Sequence, residues 1–176
     1  MAGQADWPDA PSGWVDMAAE AEIGWLIDLV SEVRSIRAEM NVPPSARAPL
    51  TLAGANAETR TRLERHRELI LTLARLNSVR EADVPPPGAV PFVIGEATGF
   101  LAIAEFIDVA AERARLGKEV ANLAADIDRT AKKLANADFV SRAPEEVVEE
   151  NRERLAEAEA ARDRLAAALK RLETVG

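Results

Sequence analysis

Hydrophobic and polar positions alternate most regularly in the last third of the chain. Leu116, Val120, Leu123, Ile127, Thr130 and Leu134 follow one another in steps of four and three. Val148, Asn151, Leu155, Ala158, Arg162, Leu165, Leu169 and Leu172 resume the same spacing after a break. Such spacing keeps one apolar seam on each helix, the pattern of a coiled coil. The break, Ala135 to Val147, holds Asn136, Pro144 and the apolar pair Phe139–Val140. A chain that stops, turns and resumes one seam folds back on itself, so the spacing predicts an antiparallel hairpin. Arms of about 20–25 residues would project about 30–35 Å at 1.5 Å per residue.

Upstream, the pattern predicts a helix from about Ala18 to Met40, after an extended lead-in over residues 1–17 with Trp7-Pro8, Pro11 and Gly13. Ile23, Leu26, Val30 and Val33 make one apolar stripe, and Trp25, Leu29 and Ile36 a second. A helix apolar on two sides is buried between neighbours. Few other helices are available here, so this one reads as a member of a bundle completed elsewhere, and the chain as part of a longer protein. Asn41-Val42-Pro43-Pro44 ends the helix, because a residue before proline is pushed out of the helical region. Strands are predicted at Ala48–Leu52, Asn77–Ala82, Val90–Ile94 and Phe100–Ala104, with a helix from Ala57 to Leu73. Pro85-Pro86-Pro87-Gly88 is a rigid turn, and Gly95–Gly99 links the last two strands.

The expected fold is α+β, mainly α. An N-terminal bundle helix occupies residues 1–45, a small βαββ unit 46–108, and a long antiparallel two-helix coiled coil 109–176.

Composition narrows the function. There is no cysteine, hence no disulfide framework and no thiolate zinc site. The single histidine, His66, has no second histidine or cysteine with which to share a metal and reads as a helix-surface residue. No apolar run approaches the roughly 18 residues that span a bilayer, and Met1–Ala10 carries acids and no base, unlike a signal peptide. A cytoplasmic protein without a membrane partner is expected. The net charge of −8 alone argues against nucleic acid, but it is unevenly spread. Residues 1–110 hold 9 basic and 16 acidic side chains, and residues 111–176 hold 13 and 14. All four lysines, Lys118, Lys132, Lys133 and Lys170, lie in the hairpin. No nucleophile–base pair, metal cluster or phosphate loop is legible.

Two segments carry a specific resemblance. Val33-Arg34-Ser35-Ile36-Arg37-Ala38-Glu39-Met40-Asn41-Val42-Pro43-Pro44-Ser45 resembles the last helix of the anticodon-binding bundle of valyl-tRNA synthetases, and Trp7-Pro8 is similar to the element before it. Leu134-Ala135-Asn136-Ala137-Asp138-Phe139-Val140-Ser141-Arg142-Ala143-Pro144-Glu145-Glu146-Val147-Val148 resembles the tip of that family's C-terminal coiled coil. Phe100-Leu101 through Ile107-Asp108 is similar to the strand leading into it.

The resemblance implies a non-catalytic role in holding tRNA(Val). The arm would lie on the outer corner of the L-shaped tRNA and the helical part near the anticodon stem, alongside upstream domains of the same synthetase. ATP and Mg would belong to the parent enzyme, with no cofactor in this chain. Neither ATP-chemistry signature is present: His66 is followed by Arg67-Glu68, and no lysine pair brackets a Met-Ser. The chain is expected neither to activate valine nor to edit mischarged tRNA, and to be monomeric.

Candidate phosphate contacts are Arg115, Lys118, Arg129, Lys132, Lys133 and Arg142 on the arm, with Arg34 and Arg37 on the first helix. Each has a plain alternative. The arm cations could form a solvated face paired at i,i+4 with Asp126, Asp128 and their neighbours, and Arg34 and Arg37 could pair with Asp28 or Glu39. Phe139, Val140, Pro144 and Val147 would plug the turn, although an exposed Phe139 could stack on a base. Pro144 suits the first turn of the second arm helix. Asn151 and Arg162, polar at seam positions, would set register, with 120 opposite 162 and 127 opposite 155. Trp7, Trp14 and Trp25 read as packing anchors. A competing reading is a docking or oligomerisation module, with Ala121, Ala124 and Ala125 beside Ala160, Ala161 and Ala167 admitting a third helix.

Overall fold

The structure is a computed structural model that describes residues 12–175. Its first helix, α1 (Ser12–Glu39), begins earlier than the apolar stripes predicted, so residues 12–17 are helical rather than extended. Trp7-Pro8 and the Trp14 side chain lie outside the described residues. Trp25, Leu29, Val33, Ile36 and Met40 are buried, whereas Ile23 and Ile27 on the flank are exposed. The helix stops where Asn41 takes a left-handed conformation (φ 58°) and the Val42 N–H returns to the Arg37 carbonyl at 2.9 Å. Asparagine tolerates that conformation, which closes the last helical turn.

Strand β1 (Ala48–Ala53) follows, then α2 (Ala57–Arg65), α3 (Arg67–Leu73), β2 (Leu76–Glu81), β3 (Ala89–Ile94) and β4 (Ala97–Ala102). The sheet order is β2-β1-β4-β3. β1 and β2 are parallel and joined through the helices, while β4 is antiparallel to both β1 and β3. The four predicted strands form in the predicted order, which makes the unit βαβββ rather than βαββ, and there are two local differences. The helix predicted over 57–73 breaks at His66, where the Glu22 carboxylate of α1 meets His66 Nε2 at 2.6 Å and accepts from Arg65 at 2.8 Å. His66 is therefore a tie between α1 and the crossover. The β3–β4 turn is only Gly95-Glu96 (Gly95 φ 59°), and Gly99 lies within a strand. Glu96 accepts from the Asn56 N–H at 2.9 Å and the Thr59 hydroxyl at 2.7 Å, bonds that hold its carboxyl below the usual carboxylate range. The turn is thereby fixed to the start of α2.

Leu50, Leu52, Val90, Phe92, Ile94 and Leu101 point from one sheet face into a core shared with α1, α2 and α3. That core also includes Leu116, Ala168 and Leu172 from the base of the C-terminal hairpin. The hairpin is rooted in the body rather than strung from it.

Candidate nucleic-acid interface

The hairpin consists of α4 (Val109–Ala135), a six-residue α5 (Ala137–Arg142) at the tip, and α6 (Glu145–Glu173). At 27 and 29 residues its arms reach about 40 Å, longer than predicted, because both helices continue into the root. Asp108 caps α4 by accepting the Ala111 N–H at 3.0 Å. Asn136 ends α4 and caps α5, accepting from Asp138 and Phe139 at 3.0 and 3.4 Å. Such caps satisfy amide groups that a helix end leaves orphaned. Pro144 occupies the cap position before Glu145, one residue earlier than its expected place in the first turn.

The seam is narrow. Leu116, Thr130, Val148, Ala158, Ala168 and Leu172 are buried, and Leu123, Ile127, Leu155 and Leu165 are half-buried. Two links cross between the arms: Arg154 to Asp126 at 3.1 Å, and Arg113 to the Leu172 carbonyl at 3.0 Å. Both lie within a helical turn of the register read from the seam. Asn151 sets no cross-arm bond; its amide donates to the Val147 carbonyl of its own helix at 2.7 Å. Arg162 turns outward to Asp163 at 2.9 Å.

At the root, Arg115 donates to the Glu39 carbonyl at 2.6 Å and pairs with Glu112 and Glu119 at 2.7 and 3.0 Å. This residue fastens the arm to α1, and its donors are committed. Further out, Arg129 pairs with Asp126 at 3.4 Å and Lys132 with Asp128 at 2.7 Å. Lys133 Nζ sits 4.7 Å from the centroid of the half-buried Phe139 ring, a cation–π contact at the tip. Lys118 and Arg142 are exposed and, among the described residues, have no carboxylate within 4.0 Å. The alanines Ala121, Ala124, Ala125, Ala160 and Ala167 are exposed.

The two α1 candidates differ from each other. Arg34 is exposed and unpaired among the described residues. Arg37 is 7% exposed and donates to the carbonyls of Ala46 at 2.7 Å, Pro43 at 3.1 Å and Arg75 at 3.3 Å. It pairs with neither Asp28 nor Glu39; its work is to tie the segment after α1 to the start of β2. Burial, then the nearby Arg75 and Arg47, push its pKa down. The sequence reading missed Arg154, Arg113, Arg47 and Arg75. Arg154 is offset from the seam on the outer face, and Arg75 meets the segment after α1 only through the tertiary fold.

Fold and site together define an arm-bearing module: a stiff antiparallel coiled coil rooted in a small mixed-sheet body, with charge along its flanks. The family model described as "Valyl tRNA synthetase tRNA binding arm" matches residues 108–173. The chain is 64% identical over 172 residues to the valine–tRNA ligase of Caulobacter vibrioides, covering 98% of the chain and 19% of that protein. It is 48% identical to the enzyme of Rhizobium meliloti and 49% to that of Mesorhizobium japonicum, in each case over 98% of the chain and 18% of the relative. The chain thus spans about a fifth of the length of these relatives. It belongs to the valyl-tRNA synthetase family, as the C-terminal region that carries the arm.

Proposed function

We propose that this chain holds tRNA(Val) for a valine–tRNA ligase and performs no chemistry itself. The arm bears on the elbow of the tRNA and the helical part lies near the anticodon stem during aminoacylation. ATP and Mg act in upstream domains of the same synthetase, in the cytoplasm. The observation that carries this reading is the rigid root. Arg115, Leu116 and Leu172 fix the arm to the body, so a contact near the tip orients the whole substrate. Contacts of this kind read backbone and shape. Lys118 and Arg142, free of carboxylates among the described residues, and Lys133 beside Phe139 are the cations best placed to meet phosphates, with Arg34 on the body. Arg129 and Lys132 would have to exchange their aspartates for phosphate, and Arg37 and Arg115 act by holding the frame. No cofactor is needed, and the chain is monomeric.

The test is an anisotropy titration of labelled tRNA(Val) with the chain from low to moderate salt. Expected is weak binding that falls with salt, each phosphate contact adding about 0.7–0.9 to the log–log slope. No binding at any salt, together with a full-length enzyme whose aminoacylation survives deletion of residues 111–176, would overturn the reading. Among the described residues no helix is long and apolar enough to cross a membrane.

A further inference from the structure

Half of the eighteen arginines are ion-paired among the described residues. Arg60, Arg62, Arg65, Arg115, Arg129, Arg152, Arg154, Arg162 and Arg171 each have a carboxylate within 4.0 Å. Of the nine without a carboxylate, four gather in one region of the body. Arg34, Arg37 and Arg75 line an open notch of about 260 Å³ between the end of α1 and the α3–β2 junction. Arg47 stands close enough to lower the Arg37 pKa. None of the four has a carboxylate partner among the described residues. The chain carries 30 acidic residues to its 22 basic ones, so the lack of a local acid is not a shortage of acids.

The notch is also held in shape. The segment after α1 turns three carbonyls toward guanidinium groups: Pro43 and Ala46 accept from Arg37, and Pro44 accepts from Arg75 at 2.9 Å. Arg75 has a left-handed backbone (φ 52°), uncommon for a long side chain, and its own carbonyl accepts from Arg37. Carbonyl dipoles orient a buried guanidinium without neutralising it, and a buried charge left without a counter-charge is costly. Neighbouring arginines add repulsion. An oxyanion in the notch would relieve both, and the planar guanidinium fork suits phosphate. The remaining wall is apolar: Ala38, Val42, Leu73 and Ala74, with Leu73 43% exposed. A cationic side facing an apolar side fits a sugar–phosphate unit better than a bare ion.

We propose that Arg34 and Arg75, backed by the buried Arg37 and with Arg47 as a neighbouring cation next to Ala46, form a phosphate-binding notch on the body that seats a backbone phosphate of the RNA gripped by the arm, with the adjoining ribose against Leu73. The identity of the RNA rests on the tRNA-holding reading above, but the notch can be tested separately. The notch would give the RNA a second anchor, so that the arm and the body grip it at two separate points.

The experiment follows the arginine side-chain N–H resonances of the 176-residue chain by NMR. The chain is titrated first with inorganic phosphate and then with tRNA(Val), and labelled tRNA is titrated by anisotropy in parallel. Variants are Arg34→Gln/Arg47→Gln, neither side chain making a hydrogen bond among those described, and Arg80→Gln, an exposed unpaired arginine on β2, as the charge control. Circular dichroism verifies that each variant folds. Expected are saturable shifts of Arg34, Arg37 and Arg75 with both probes. The double variant should lose those shifts and reduce the salt slope for tRNA by about 1–2, with Arg80→Gln close to wild type. Shifts with phosphate but not with tRNA would overturn the RNA assignment and leave a site for free phosphate. Shifts with neither probe would overturn the notch itself, even if tRNA still bound through the arm. If tRNA binds nowhere, the tRNA-holding reading fails, and the phosphate titration still decides the notch.

Discussion

The Arg115 guanidinium donates to the main-chain carbonyl of Glu39 at 2.6 Å, joining the first turns of the arm to the last residue of α1. Glu112 and Glu119 grip the same guanidinium from its own helix, so the donor is aimed before the contact forms. Arg115→Ala should cost about 1–2 kcal/mol, the loss of one charge-assisted bond at a half-exposed site. The consequence for the arm is mechanical: the root loses a fastening while the seam is untouched. Amide hydrogen exchange should accelerate around 109–116 and 168–173 and stay unchanged near the tip. Uniform acceleration along the arm would refute the local role.

Glu39 is held from its other end as well. Its carboxylate oxygen Oε2 is buried without a hydrogen bond, and Arg171 reaches only to 3.7 Å, near enough to attract and too far to bond. Burial raises its pKa above the ordinary carboxylate value, outweighing Arg171. The folded state therefore keeps a proton that the unfolded state releases, and stability falls as pH rises from the ordinary carboxylate value through the raised one. Above that window the deficit persists. Glu39→Gln removes the titration, so its stability relative to wild type should climb across the window and then level off. Parallel urea melts of the two proteins from pH 4 to 7 check this; a constant difference between them would refute it.

In the sheet, Gly99 of β4 lies opposite Phe92 of β3, and the Phe92 ring fills the space that a β-carbon at Gly99 would occupy. Phe92 is 3% exposed and packed into the core beneath α1. Gly99→Ala must displace that ring, and overpacking of this kind costs about 1–3 kcal/mol. A lowered urea midpoint with unchanged slope is expected for Gly99→Ala. Gly24→Ala provides the contrast: a β-carbon there meets nothing within 4 Å on a helix, so stability should hold or rise by about 0.5–1 kcal/mol.

Gly99 also illustrates where sequence reading ends. As sequence, it reads as the end of a Gly95–Gly99 linker, because a glycine between apolar runs signals a turn. Its purpose is to leave room for an aromatic on the neighbouring strand, which only pairing reveals. Periodicity exposed what is local: the arm's seam, the stop at Asn41–Pro44, the order of strands and the break between the arms. It did not expose His66, whose partner Glu22 is 44 residues away in sequence. It also cast Arg37 with Arg34 as a surface cation, since both sit on one helix near its end. Burial separates them: one ties loop carbonyls, the other faces solvent. The stripes of α1 are legible, but Ile23, placed in one stripe with Val30 and Val33, is exposed.

The free and paired cations of the arm should contribute unequally to RNA binding. Lys132 lies 2.7 Å from Asp128, both exposed, and such surface pairs are worth about 0.2–1 kcal/mol. A phosphate approaching Lys132 must replace that aspartate or tolerate its charge. Lys118 and Arg142 have no such competitor among the described residues. Lys118→Ala and Arg142→Ala should each lower the salt slope for tRNA by about 0.7–0.9, while Lys132→Ala lowers it by less. Asp128→Asn sharpens the comparison, because it frees Lys132 without removing it and should strengthen binding at low salt. The readout is the slope of log affinity against log salt for the four variants, measured with one tRNA preparation. Equal slopes for Lys118→Ala and Lys132→Ala, with no gain from Asp128→Asn, would mean that phosphate contact is insensitive to local pairing, and the assignment of the arm's contacts to its unpaired cations would fall.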